Sequence, residues 1–249
     1  MHISIALWSH PRSLSTAFER SFIERGDFQV FHEEFAYVYY MHEKRAEIPH
    51  KNEDLSHPRT YGEIRDLMEG ARVDGPVFHK DFPYHVLDHL LKDPDYLRGQ
   101  VNTFLIRDPE EAVPSHLSVH PGLGRDALGY RQLVALFDVV RELTGTTPVV
   151  INARDLTENS ANTMSAYCEA VEIPFLAESL KWNPGQKAQW KTWQGWHTDV
   201  ASSSGFAVPA GRWKLDEADI ARARAFIDEC RPHYEYLDSF CLKQNDVIA

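Results

Sequence analysis

The chain has 249 residues, 43% of them hydrophobic and 25% charged, with a net charge of −11. That length suits one large α/β domain or two small ones, the composition is that of a soluble globular protein, and no stretch approaches the ~20 apolar residues of a membrane span. The acidic balance, with no run of Lys and Arg, excludes bulk electrostatic attraction to nucleic acid, so an anionic ligand has to be held by a few local cations. Cys168, Cys230 and Cys241 form no CxxC pair, and the N-terminus opens on strand-like sequence with no basic segment and apolar core of a signal peptide. Both features point to a reducing, cytoplasmic setting.

In chain order, Ile3–Trp8 reads as a buried strand, and Ser13–Arg25 carries apolar residues at helical spacing with Gly26 as its stop. Phe28–His32 is a second strand and Phe35–His42 a short aromatic helix, followed by a polar loop from Glu43 to Pro58. Thr60-x-x-Glu63 is a capping box that starts a helix running to about Arg72. Val77–Lys80 is a third strand and Tyr84–Lys92 a helix; Val101–Ile106 is a fourth strand and Pro109–Val119 a helix. Tyr130–Leu143 is a long helix, Pro148–Asn152 a fifth strand, and Ser160–Glu172 the helix after it. A Trp-rich stretch and a Ser/Gly loop lead to a last helix, Glu217–Glu229, with Asp216 as N-cap. This alternation predicts βαβ units and an α/β sandwich with a central parallel sheet flanked by helices, in one domain over residues 1–249.

In such a sheet, ligands bind beyond the carboxyl ends of the strands, and the first strand-to-helix turn offers an anion the unpaired N–H groups of a helix start. Here that turn reads SHPRSLSTAF and adds the Arg12 guanidinium and the hydroxyls of Ser13, Ser15 and Thr16. The plainer alternative is an ordinary helix start with Ser13 as N-cap. The GxxxxGK[ST] pattern of nucleotide kinases is absent.

Pro-Arg-Ser-x-Ser-Thr after the first strand resembles the 5′-phosphosulfate loop of sulfotransferases that use 3′-phosphoadenosine 5′-phosphosulfate (PAPS), with Leu14 where many members carry Gly. FLIRDPEEAVPSHLS (104–118) resembles the 3′-phosphate segment of the same superfamily, with Arg107 at the strand end and Ser115 eight residues on. VFHEEFAY, FHKDFPYH, VVINARDL with CEAVEIPF, and WKTWQGWHTDVASSSGF resemble later segments in the same order.

The resemblance implies a P-loop NTPase-like three-layer fold and sulfuryl transfer from PAPS to a hydroxyl or amine of a small-molecule acceptor. It implies PAPS contacts from Arg12, Ser13, Leu14, Ser15, Thr16, Arg107 and Ser115, with Ser204 and Gly205 from a closing loop. Arg12 and Lys80 would stabilise the leaving phosphate, without a metal, and Glu33 after the second strand would be the general base. Cytosolic animal sulfotransferases use a histidine near strand three instead; the matching offset here falls on Phe82, so His79 and His85 stand in reserve.

His85 with His89, and His116 with His120, are spaced i, i+4, as two zinc ligands on one helix face would be, which makes a zinc-dependent hydrolase the rival reading. A non-catalytic nucleotide-binding protein is the third. Trp190, Trp193 and Trp196 would share one helix face if 190–196 were helical, covering the acceptor or simply packing, and the acceptor pocket is expected from residues 35–58 and 182–200. The acceptor's identity and the oligomeric state have no code in these residues.

Overall fold

The structure is a computed structural model that describes residues 1–48, 52, 54–122, 124–207, 213 and 215–243. Residues 49–51 and 53 of the expected acceptor loop lie outside the described residues.

Strand β1 (Ser4–Ser9) leads into helix α1 (Ser15–Arg25), which stops at Gly26 in the left-handed conformation. Strand β2 (Gln29–His32) is followed by a π-helical segment, Tyr37–His42, which carries the aromatic run. Helix α2 (Tyr61–Asp74) begins with both halves of the Thr60–Glu63 capping box formed. Strand β3 (Val77–Asp81), short helices α3 (Leu87–Leu90) and α4 (Pro94–Arg98), strand β4 (Val101–Ile106) and helix α5 (Pro109–Val119) come next. Helix α6 (Tyr130–Thr144), strand β5 (Val149–Asn152), helices α7 (Ala153–Glu158) and α8 (Ser160–Ala170), the short α9 (Thr198–Ser202) and α10 (Glu217–Asp238) complete the order.

The five strands form one parallel sheet in the order β2-β3-β1-β4-β5. Because side chains alternate along a strand, β1 feeds two apolar layers: Ala6 and Trp8 join the cluster with α5, α6 and α10, while Ile5 and Leu7 pack with α1 and α8. Both faces are therefore buried, which is why β1 reads as a continuous apolar run. The connections run outward to β2, back to β3, then across β1 to β4. The order switches at β1, and a crevice opens there beyond the carboxyl ends of the strands.

Three expected elements differ. The helix expected over 84–92 is a 3₁₀ turn, Pro83–His85, then α3, separated by Val86 at φ −148. Asp81 causes the break by accepting the Phe82 N–H and pairing with His85, which competes with helix formation. The helix expected over 190–196 is a pair of 3₁₀ turns, Ala188–Trp190 and Gln194–Trp196, so Trp190, Trp193 and Trp196 share no helix face. The last helix continues past Pro232 to Asp238, because Cys230, Tyr234 and Leu237 bury its far end. A proline costs a helix interior about 3 kcal/mol, and burying three side chains more than offsets it.

Candidate active site

The crevice holds a cavity of about 770 Å³, in the range of small-molecule sites. Its polar end is built by the β1–α1 turn. Arg12 and Leu14 both sit at positive φ (62 and 68), and Leu14, not Ser13, precedes the helix, with no side-chain cap. Ser13 as N-cap is therefore not how this helix starts. A left-handed conformation costs a residue with a β-carbon roughly 1–2 kcal/mol, and strain of this kind collects at functional turns.

The turn is held open by its neighbours. Arg107, at the end of β4, donates from Nη1 to the Arg12 carbonyl (3.0 Å) and from Nε to Glu111 (2.8 Å). Its backbone N–H donates to His10 Nε2 (3.0 Å), which leaves His10 Nδ1 to donate to the Pro11 carbonyl. Burial, with Arg107 nearby, lowers the His10 pKa to about 3, so it works as a neutral spacer stacked on Tyr130.

Arg12 itself donates from Nε to Ser115 Oγ (2.8 Å) and from Nη2 to Asp199 Oδ2 (2.9 Å) on α9. The expected pair of Arg107 and Ser115 is thus joined through Arg12, and the three residues form one unit. Pro11, Arg12, Leu14, Ser15, Thr16, Arg107, Ser115, Ser203 and Gly205 line the cavity. Ser13 and Ser204 are not among its lining residues. Ser13 is fully buried behind the turn, its Oγ without a partner.

Lys80 is fully buried and outside the lining as well. Its Nζ bonds Glu33 Oε1 and lies 3.4 Å from Thr16 Oγ1, under a floor that Glu33 and Thr16 share. Burial would raise the Glu33 pKa, but the Lys80 charge beside it lowers it to about 2. A carboxylate held that low is a weak proton acceptor at neutral pH. In this arrangement Glu33 is the counter-ion of Lys80, which departs from the role expected of it.

His85 offers better base chemistry. Its Nδ1 lies 2.8 Å from Asp81 Oδ1, and Asp81 also accepts the backbone N–H groups of Phe35 and Phe82. A neutral imidazole with Nδ1–H turned to Asp81 keeps its lone pair on Nε2. That Nε2 is buried without a partner, and His85 lines the cavity. Trp193 lines it too, with its Nε1–H likewise unpartnered, while Tyr39, Tyr40, Phe82 and Tyr84 complete an aromatic end. His79, the other reserve, is buried against Trp8 and bonded to Gln100.

The helix pairs expected of a zinc site do not form one. His85 faces Asp81 and His89 faces Glu43, while the His116 and His120 ring centroids stand 6.3 Å apart. Burial, then the Arg12 charge, lowers His116 to about 3. A different chain of groups, invisible in the sequence, runs beneath α9. Glu19 on α1 accepts from Trp190 Nε1 (2.8 Å) and lies 2.5 Å from His32 Nδ1, and His32 Nε2 lies 2.8 Å from His197 Nε2. Trp190 thus packs against α1, while Trp193, Trp196 and His197 line the cavity.

A family model described as a sulfotransferase domain matches residues 3–237. Branched-chain-amino-acid aminotransferase-like protein 2 of Arabidopsis thaliana is 30% identical over 239 residues, which is 94% of this chain and 41% of that protein. The chain spans well under half the length of the curated relatives it matches. Among solved structures, a sulfotransferase domain from the curacin biosynthetic pathway matches with a TM-score of 0.52 at 11% identity, over 92% of this chain and 98% of that one. A sulfotransferase from Alicyclobacillus acidocaldarius matches with a TM-score of 0.51 at 10% identity, over 97% and 98%. At these identities the likeness concerns the fold, a P-loop-like α/β sandwich.

Proposed function

This chain belongs to the sulfotransferase domain family, and we propose that it moves a sulfuryl group from PAPS to a hydroxyl or amine of a small-molecule acceptor, in one domain over residues 1–249. The observation that carries this reading is the polarity of the cavity. One end has the Arg12 guanidinium and a strained turn at a helix start; the other is lined by His85 and Trp193, whose Nε2 lone pair and Nε1–H are buried without partners. Each orphaned group costs ~1–3 kcal/mol, which a bound hydroxyl or amine recovers.

The residues fit the donor. Arg12, Ser15 and Thr16 would hold its 5′-phosphosulfate, and Arg107, Ser115 and Gly205 its 3′-phosphate. PAPS supplies the activated sulfuryl group and a phosphate that departs with negative charge. Arg12 counters that charge from the cavity wall. Lys80 does so once its ammonium turns from Glu33, which until then keeps it in place. His85 takes the acceptor's proton at Nε2, and Asp81 steadies the resulting imidazolium. No metal is needed in this scheme. The free thiols fit a cytoplasmic setting, and the net charge of −11 disfavours nucleic acid as a partner.

The test is calorimetry with the product nucleotide 3′-phosphoadenosine 5′-phosphate (PAP) against AMP, which lacks the 3′-phosphate. A contact to one extra phosphate from Arg107 and Ser115 is worth about 2–4 kcal/mol, so PAP binds about 30-fold or more tighter. Equal affinities reject the PAPS assignment. PAP binding without transfer to any hydroxyl or amine leaves a non-catalytic nucleotide-binding protein.

A further inference from the structure

The Glu19–His32–His197 chain meets Glu33 at a point the transfer reaction does not require. His32 Nε2, His197 Nε2 and Glu33 Oε1 lie within 4.8 Å of one another, and all three residues are buried or nearly so. His32 Nε2 stands 2.8 Å from His197 Nε2 and 3.8 Å from Glu33 Oε1. Zinc takes nitrogen and carboxylate ligands at ~2.0–2.2 Å, which sets two of its ligands roughly 3–4 Å apart. Shifts of roughly half an ångström to an ångström turn this triangle into three ligands of one ion.

The surroundings are those of a metal site. A ligating histidine usually donates its other ring N–H to a carboxylate, which fixes its tautomer and raises its basicity. Glu19 fills that place behind His32 at 2.5 Å and is itself steadied by Trp190. Glu33 and His197 line the cavity, which gives an entry path and an open fourth position. Two imidazoles and one carboxylate select zinc or its near neighbours over magnesium and calcium.

We propose that His32, Glu33 and His197 form an inhibitory divalent-cation site of zinc type. It inhibits because Lys80 bonds the same Glu33 oxygen that the cation would take. A dication in the site evicts the Lys80 ammonium from Glu33 and repels it and Arg12 together. The inhibition rests on the transfer reading above; the binding does not.

The test uses the full chain, freed of metal and titrated with cobalt(II) and then zinc(II). One equivalent of cobalt gives the intense visible bands of a four-coordinate ion, and zinc displaces it. His197→Ala, and His197→Gln as the variant of closer size, weaken binding at least 100-fold, as does His32→Ala. Glu19→Gln weakens it about 10–100-fold, as loss of an outer carboxylate does. Lys80→Met, which removes the competing cation, tightens it. Affinity unchanged in the folded His32 and His197 variants overturns the proposal. So does dependence on His116 and His120, or a near-ultraviolet thiolate–cobalt band. Sulfuryl transfer by the wild type falls in step with zinc occupancy; transfer that persists at full occupancy overturns the inhibitory role. A wild type that transfers nothing without zinc defeats the transfer reading instead, and the cobalt spectrum still decides the site.

Discussion

Asp199→Asn should strengthen nucleotide binding, although it removes a charged residue from the site. Asp199 bonds the Arg12 guanidinium at 2.9 Å, with 19% of the arginine side chain and 48% of the aspartate exposed. Its carboxylate thus sits where the ligand's phosphate would pair with Arg12. A ligand phosphate that takes the Nη2 edge of the guanidinium must displace this carboxylate before it gains its own charge-assisted bond. An ion pair this exposed is worth ~0.2–1 kcal/mol, against ~1.5–3 kcal/mol for a hydrogen bond between charged partners. The asparagine keeps the shape and loses the charge, so PAP affinity rises by about 1.4- to 5-fold. AMP affinity rises by the same factor, because Arg12 serves the phosphate that both ligands share. The gain shrinks at high salt, which screens the Arg12–Asp199 pair in the wild type. Calorimetry at low and high salt with both ligands reads all three effects. If PAP and AMP bind the variant no better than the wild type at low salt, Asp199 does not compete for Arg12 and the anion subsite lies elsewhere.

Arg107→Ala should weaken AMP as well as PAP, because Arg107 holds the Arg12 carbonyl as well as facing the cavity; calorimetry that shows AMP untouched would mean the turn stands without it. His85→Gln should slow single-turnover transfer ~10²–10⁴-fold with PAP affinity kept, and a wild-type rate would move the proton acceptor away from the Asp81–His85 pair. Glu33→Gln leaves Lys80 buried without its counter-ion, and denaturant unfolding at pH 7 should show a loss of about 3–5 kcal/mol. The pH dependence has a definite sign. The folded Glu33 pKa of about 2 lies below the ordinary carboxylate value, so its contribution of roughly 3 kcal/mol is complete above pH ~4.3 and drains away as the pH falls towards 2. Unfolding midpoints measured across that window should fall steeply in the wild type and less in Glu33→Gln.

The sequence by itself determined the elements whose signals are local. β4 and α5 fall on Val101–Ile106 and Pro109–Val119 as read from their apolar runs and the proline at the first helical turn. The Thr60–Glu63 box closes within three residues, so its sequence suffices. The parallel sheet follows from alternation, and the β1–α1 turn was a candidate anion cradle from its place after the first strand. Tertiary structure decided what depends on partners far along the chain. Arg12 meets Asp199 across 187 residues, and His32 meets His197 across 165. No spacing rule reaches that far, since such pairs are fixed by which loops converge beyond the sheet's carboxyl edge. The same holds for Lys80. The sequence put it at a strand end, but burial under Thr16 and pairing with Glu33 decide whether it faces a ligand or a counter-ion. His85 carried a helix-pair signal that misled. Its helix breaks because Asp81, four residues earlier, captures its ring and the Phe82 amide, and that capture turns a candidate zinc ligand into one half of an Asp–His pair that lines the cavity, its other nitrogen buried without a partner.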